Sequence, residues 1–270
     1  MIKNLTDMHT HTDNSPDGNH STMFLCESAV AKGLRAIAFT DHCEVDVYRQ
    51  ENYDRTVRHS FFEVAKAQHS YRGQLLVLQG IELAQPTYDS DTALKIINEQ
   101  TYDIVIGSIH NLRGRQDFYF LENFTLQQAR ADYKEYLNEL CLLAQWGNFD
   151  TMAHITYPLR YFYAKSQIDL QLSEFSSQLD ELLAMLAEKE LALEINTAGL
   201  RQPIGRLSPD FDIIKRFYEL GGRLITIGSD AHYAEDLGAG ILEARQAAVA
   251  AGFNSSFIFQ HREPIEIPFE

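Results

Sequence analysis

Residues 75–83 read Leu-Leu-Val-Leu-Gln-Gly-Ile-Glu-Leu. A run this apolar, without the alternation of a half-exposed strand, suits a parallel strand buried on both faces. Ile104-Val105-Ile106 repeats the pattern. Working outward from these two runs, short apolar, β-branched segments predict strands at Asn4–Met8, Arg35–Phe39, Leu75–Leu83, Asp103–Ile109, Asp150–Ala153, Leu191–Ile195, Arg223–Ile227 and Ser256–Phe259. Amphipathic stretches lie between them. Thr125 to Trp146 carries Tyr133, Tyr136, Leu137, Leu140 and Leu143 at helical spacing, and Phe175 to Leu186 does so through Leu179, Leu182, Leu183 and Leu186. Ser208-Pro209 predicts a helix N-cap with proline in the first turn, and Gly221-Gly222 predicts that helix's stop. Strand–helix alternation over this length means an α/β parallel barrel or a doubly wound sheet. Neither the glycine fingerprint of a dinucleotide site nor a Gly-rich lysine loop is present, which favours the barrel.

The bulk numbers agree with one sizeable core. Hydrophobic residues make up 45% of the 270 positions and charged residues 23%, so the chain is neither disordered nor fibrous. A single domain over residues 1–270 is expected. Lys and Arg total 23 against 38 Asp and Glu, a net charge of −15, which argues against a broad nucleic-acid footprint. It does not exclude a small anionic substrate, because bound divalent ions reverse the local sign. The segment Met-Ile-Lys-Asn-Leu-Thr-Asp lacks the apolar core of a signal peptide, and no apolar run is long enough to span a bilayer. The expected compartment is the cytoplasm, with no membrane partner. Cys26, Cys43 and Cys141 are scattered, with no Cys-x-x-Cys pair, so neither a disulfide framework nor a thiolate zinc site is indicated.

What ends each strand is more informative. The first runs into Asp7-Met8-His9-Thr10-His11 and the second into Thr40-Asp41-His42. The third contains Glu82. His110 and His154 follow the fourth and fifth, and Gly228-Ser229-Asp230-Ala231-His232 follows the seventh. In a parallel barrel these ends converge on one face, where active sites are built. A lone histidine near a strand end is more often a hydrogen-bonded core or surface residue. Six of the chain's 10 histidines share this placement, however, and an unpaired buried carboxylate such as Glu82 would be costly. Imidazole and carboxylate donors suit zinc, manganese or iron. His20, His59, His69 and His261 have no such placement and read as ordinary.

In order along nearly the whole chain, His9-Thr10-His11, Thr40-Asp41-His42, Glu82, His110, His154 and Ser229-Asp230-Ala231-His232 resemble the signature of the polymerase and histidinol phosphatase (PHP) family. The resemblance implies a distorted (β/α)7 TIM-like barrel with a metal site at the carboxyl ends of the strands. It implies two to three divalent ions. His9, His11, Glu82 and Asp230 would hold one, Glu82, His110 and His154 a second, and Asp17, His42 and His232 a third. Asp17 stands where some family members carry histidine. Its length and the motifs His-Thr-His-Thr-Asp-Asn-Ser and Glu194-Ile195-Asn196-Thr197-Ala198-Gly199-Leu200-Arg201 make the chain most similar to the monofunctional L-histidinol-phosphate phosphatases of histidine biosynthesis.

That resemblance implies a phosphomonoesterase acting on a small phosphate ester, L-histidinol phosphate. The alternatives are a PHP-type nucleotide phosphatase or exonuclease and an inactive metal-binding module, although every ligand position is filled by a competent residue. Phosphate also wants guanidinium forks. Arg160, six residues beyond His154, and Arg201, just past the sixth strand, are the candidates for binding it. Asp230 and His232 are candidates for proton transfer where metal does not fully engage them. Asp41 is expected either to orient a ligand or to cap its loop. Glu44, Asp46 and Glu51 could offer an acidic wall to a cationic substrate.

Overall fold

The computed structural model describes residues 4–269. Seven parallel strands form one curved sheet: β1 (Thr6–Thr10), β2 (Ala36–Phe39), β4 (Leu76–Ala84), β5 (Ile104–Ser108), β6 (Thr151–Met152), β7 (Ala192–Asn196) and β8 (Ile225–Gly228) pair in that order. A short strand β3 (His42–Glu44) continues the path of β2 beside the upper half of β4, in register His42↔Glu82. Gly80 makes room for this break. A Cβ there would lie 2.6 Å from the Thr40 methyl and 2.8 Å from the Phe39 carbonyl. The ends nearly close the barrel: Asp230 N–H donates to His9 O (2.8 Å) and His11 N–H to Ala231 O (2.9 Å).

Period-2 alternation sorts the strand residues. Ile37, Phe39, Val105, Met152, Leu193, Ile225 and Ile227 face the helices outside. Met8, Ala36, Ala38, Leu78, Ile104, Ile106, Ala153 and Ala192 fill the interior, where so many alanines suit a narrow barrel. Eight helices surround it among the described residues: α1 (Thr22–Ala31), α2 (Tyr53–Ser70), α3 (Ser90–Glu99), α4 (Leu126–Trp146), α5 (Tyr157–Ser166), α6 (Ser176–Glu188), α7 (Phe211–Glu219) and α8 (Ile241–Ala251). The predicted α4 begins where its Thr125 cap accepts from Gln128 N–H (3.1 Å) and ends at Gly147, whose φ of 68° suits glycine. None of the described helices is long and apolar enough to cross a membrane.

Two expectations need correction. Ser256–Phe259 is a strand, β9 (Ser255–Gln260), but it pairs antiparallel with β10 (Glu263–Pro268) instead of joining the barrel. This hairpin plugs the amino-terminal end, contributing Ile258, Phe259 and Ile267 to the interior cluster. Arg262 fastens it there, its Nε 3.0 Å from Asp150 Oδ1 and its N–H on Asp103 O (2.9 Å). Nor does Ser208-Pro209 start α7. The Ser208 backbone exchanges two 2.9 Å hydrogen bonds with Asn196, which holds it in an extended bridge, so the helix starts later, at Phe211.

Candidate metal centre

The carboxyl ends of the strands bring all nine predicted ligand residues together. The register between β1 and β2 shifts between Asp7 and Thr10, giving β1 one extra residue. This bulge lets Met8 point into the apolar interior while His9 and His11, of opposite parity, also aim at the site. On β4, Leu78, Gly80 and Glu82 share one face, so Glu82 stands directly above the apolar fill. Buried Asp41 fixes the loop after β1, accepting from Thr12 N–H (2.6 Å) and the hydroxyls of Thr12 (2.8 Å), Ser15 (2.8 Å) and Ser60 (2.5 Å). Ser15 Oγ in turn lies 3.2 Å from His11 Nδ1. Asp41 thus caps its loop, and through Ser15 its hydrogen bonds extend to His11.

Glu82 is the hub. It is fully buried, and its Oε1 lies 3.1 Å from His110 Nε2 and 3.0 Å from His154 Nε2. Oε2 faces His9 Nε2 (3.4 Å), His11 Nε2 (3.7 Å) and His42 Nδ1 (2.8 Å). Asp230 Oδ1 completes the His9–His11 side, 3.2 Å from His11 Nε2. Asp17 lies between the other pair, Oδ1 3.6 Å from His42 Nε2 and Oδ2 3.2 Å from His232 Nε2. Four sets of three donors are each compact enough for one ion: His9–His11–Asp230, His9–Glu82–His154, His42–Glu82–His110 and His11–His42–His232. His9 Nε2, His11 Nε2, His42 Nδ1, His232 Nε2 and Glu82 Oε2 are buried without a properly oriented hydrogen-bond partner. Orphaned donors of this kind, aimed at one another, fit a divalent ion and would be costly without one. The donor set is nitrogen and carboxylate oxygen, as zinc, manganese and iron accept.

The charges are strongly coupled. Burial alone would raise the Glu82 carboxyl, but the imidazoles of His110, His9 and His42 outweigh it and hold Glu82 well below the usual carboxylate range. Asp230 is likewise held down, against burial, by His9, His11, His232 and Arg160. Burial lowers His11 well below the ordinary imidazole value, with His232 and His42 adding to it, and burial also lowers His154. For His9, burial is outweighed by Glu194, Glu82 and Asp230, and for His42 by Glu82 and Asp17, so both rise well above the ordinary value. His110 rises to about 10, burial being overcome by Glu44 and Glu82.

Of the two arginines, Arg160 on α5 reaches the cluster: its Nη1 lies 3.6 Å from Asp230 Oδ2, and its guanidinium stacks 4.2 Å from the Tyr157 ring centre. Arg201 holds the loop after β8, donating from Nη2 to Ser229 O (2.7 Å) with Nε 3.3 Å from Asp236 Oδ1. Glu44, considered only as an acidic wall, accepts from His110 Nδ1 at 2.9 Å, and Asp46 accepts from Asn111 (3.0 Å); Glu51 is exposed. Cys43 is a buried space-filler in the core. His59, read as ordinary, bonds Asn14 (2.6 Å) in the loop that carries Asp17. Glu194 joins these residues without being among the candidates named from the sequence, although it carries the same signal as Glu82, a carboxylate inside an apolar strand. It contacts His9 Nδ1 at 2.6 Å.

The chain matches the PHP domain family model over residues 7–198. A probable histidinol-phosphatase of Thermotoga maritima is 30% identical, over 88% of this chain and 89% of that one. The histidinol-phosphatase of Lactococcus lactis is 29% identical, over 94% and 93% of the two chains. The crystal structure of histidinol phosphate phosphatase from Lactococcus lactis, complexed with zinc, L-histidinol and phosphate, superposes with a TM-score of 0.79 at 26% identity, covering 97% of this chain and 98% of that one.

Proposed function

The chain belongs to the PHP domain family, and on that premise we propose that it hydrolyses L-histidinol phosphate to L-histidinol and phosphate, as a metal-dependent phosphomonoesterase. The observation that carries the reading is Glu82, a fully buried carboxylate whose two oxygens face separate groups of imidazoles. The similarity to histidinol-phosphatases over nine-tenths of the chain supports the substrate. In this reading His9, His11, Glu82 and Asp230 hold one ion, Glu82, His110 and His154 a second, and Asp17, His42 and His232 a third. Divalent ions bound there would supply Lewis-acid activation of water and neutralise charge on the phosphoryl group.

The protein's own groups do the rest. Arg160 is aligned by its stack on Tyr157 and by Asp230, and its Nε has no hydrogen-bond partner among the described residues. It offers the phosphoryl oxygens a charge-assisted contact. Arg201 is the second guanidinium on this face. With Nη2 on Ser229 O and Nε beside Asp236, it holds the loop bearing Asp230 and His232 in place and has Nη1 left to offer a phosphoryl oxygen. Asp230 and His232 serve in proton transfer only where metal does not fully engage them, and no dedicated acid is assigned to the leaving alkoxide. Metal content measured beside turnover tests the reading. Ester hydrolysis that scales with bound metal supports it, and a protein that holds metal yet hydrolyses no phosphate ester is a binding module instead.

A further inference from the structure

Beneath the ligands, on β7, sits a carboxylate for which the reaction has no direct use. Glu194 is 1% exposed and receives three donors. Oε1 lies 2.6 Å from His9 Nδ1, and Oε2 accepts from His154 N–H (2.9 Å) and Asn196 Nδ2 (3.2 Å). Asn196 Nδ2 also reaches Asp230 Oδ2 at 3.2 Å. The Asn196 amide cannot be turned over, because its Oδ1 already accepts from Ala198 N–H (3.0 Å). The slot itself is tailored. A Cβ on Gly228 would come within 2.4 Å of His9 Cβ and 2.7 Å of Glu194 Oε1, so glycine there lets β8 pass behind the pair. His154, whose N–H Glu194 holds, has a φ of 22°, outside the ordinary backbone regions for a residue with a side chain.

We propose that Glu194 is a positioning residue that makes His9 a competent metal ligand and ties together the groups that would hold two neighbouring ions. The inference rests on the metal-centre reading above. An imidazole binds metal through an unprotonated nitrogen, and the hydrogen bond at the other nitrogen decides which one that is. By accepting at Nδ1, Glu194 keeps a proton there, so that the proton a metal displaces is the one on His9 Nε2, which faces Glu82 and Asp230. Through its second oxygen it holds the His154 backbone, and through Asn196 it steadies Asp230. A carboxylate is needed because all three partners donate. A glutamine with its amide nitrogen toward His9 would donate to Nδ1 and move the imidazole proton to Nε2, blocking that ligand. Turned the other way, it would set its amide hydrogens against His154 N–H and the Asn196 amide.

The test is zinc affinity, measured by competition with a chromogenic chelator, for wild type, Glu194→Gln, His9→Ala and the double variant. Hydrogen bonds that orient a metal-binding imidazole are worth roughly 10–100-fold in metal affinity, so E194Q is expected to bind zinc that much more weakly. Its cobalt-substituted form should show a changed visible spectrum. In the His9→Ala background the Gln substitution should lose most of its effect, because the imidazole it acts through is gone. If E194Q folds poorly, Glu194→Asp keeps the charge but cannot span from His9 to His154, and it should weaken zinc in the same direction. Unchanged affinity in E194Q, or an equal loss with and without His9, would overturn the proposal. A wild-type protein that takes up no zinc would overturn the metal-centre reading itself, and this inference with it.

Discussion

Replacing Arg160 by alanine removes a guanidinium that is 11% exposed, stacks 4.2 Å from the Tyr157 ring centre and lies 3.6 Å from Asp230. One of these contacts is to Asp230 of the His9–His11–Asp230 set, and none is to the imidazoles around Glu82, so metal content has to be followed beside activity. Hydrogen bonds to charged groups are worth about 1.5–3 kcal/mol. Losing one such contact to the phosphoryl group should therefore lower kcat/KM for the ester by roughly 10–150-fold. Arg160→Lys keeps the charge but not the planar fork or the stack, and it should fall between wild type and R160A. The assay is steady-state hydrolysis of L-histidinol phosphate with phosphate release as the signal, alongside metal analysis of the same samples. Unchanged kcat/KM in R160A would remove Arg160 from the phosphate site. A loss of activity matched by an equal loss of metal would show instead that Arg160 acts by holding Asp230 in the metal centre.

Glu82→Gln removes the charge facing five imidazoles and should abolish high-affinity uptake of at least two ions, read by metal analysis after dialysis; full metal content would contradict its role as hub. Asp17→Ala should lower maximal metal content by one ion while leaving the sites around Glu82 filled, because Asp17 faces only His42 and His232. In the metal-free protein His110 is raised to about 10 from an ordinary 6.5, so across that window the folded state holds more protons than the unfolded chain. Its contribution to stability is therefore fully present below pH 6.5 and is lost as pH rises through about 10. Zinc must displace those protons, so zinc affinity should rise with pH over the same window, and uptake at neutral pH should release protons, measurable by calorimetry in buffers of different ionisation heat. Flat affinity between pH 6.5 and 8.5 would contradict the assignment. Asp41→Ala frees the loop from Thr12 to Asp17 by removing four hydrogen bonds and should weaken metal binding at Asp17 and His11 more than at His110 and His154.

The barrel was legible because buried parallel strands are written as continuous apolar runs, as Leu75–Leu78 and Ile104–Ile106 are. The ligands were legible because their residue types, polar and aromatic at strand ends, have no packing reason to recur there. Other features are set by tertiary contacts that local sequence does not encode. The strand at Ser256–Phe259 was found, but its place as a plug depends on the distant Asp103 and Asp150 that hold Arg262. Ser208-Pro209 carries a helix-start signal that is overridden by pairing with Asn196. The bulge that aims both His9 and His11 into the site is visible only as a register shift against β2. Arg201 is on the expected face, but its engagement with Ser229 and Asp236 could not be read from its position after β7. Glu194 could have been found by the argument used for Glu82, since both are acids within apolar strands.

Whether this metal centre serves L-histidinol phosphate is decided by kcat/KM of the metal-loaded protein on three esters: L-histidinol phosphate, a mononucleotide and a generic aryl phosphate. A preference for L-histidinol phosphate of about a hundredfold or more is expected, worth about 2.7 kcal/mol in transition-state binding. Equal slow rates on all three, or a preference for the mononucleotide, would contradict it.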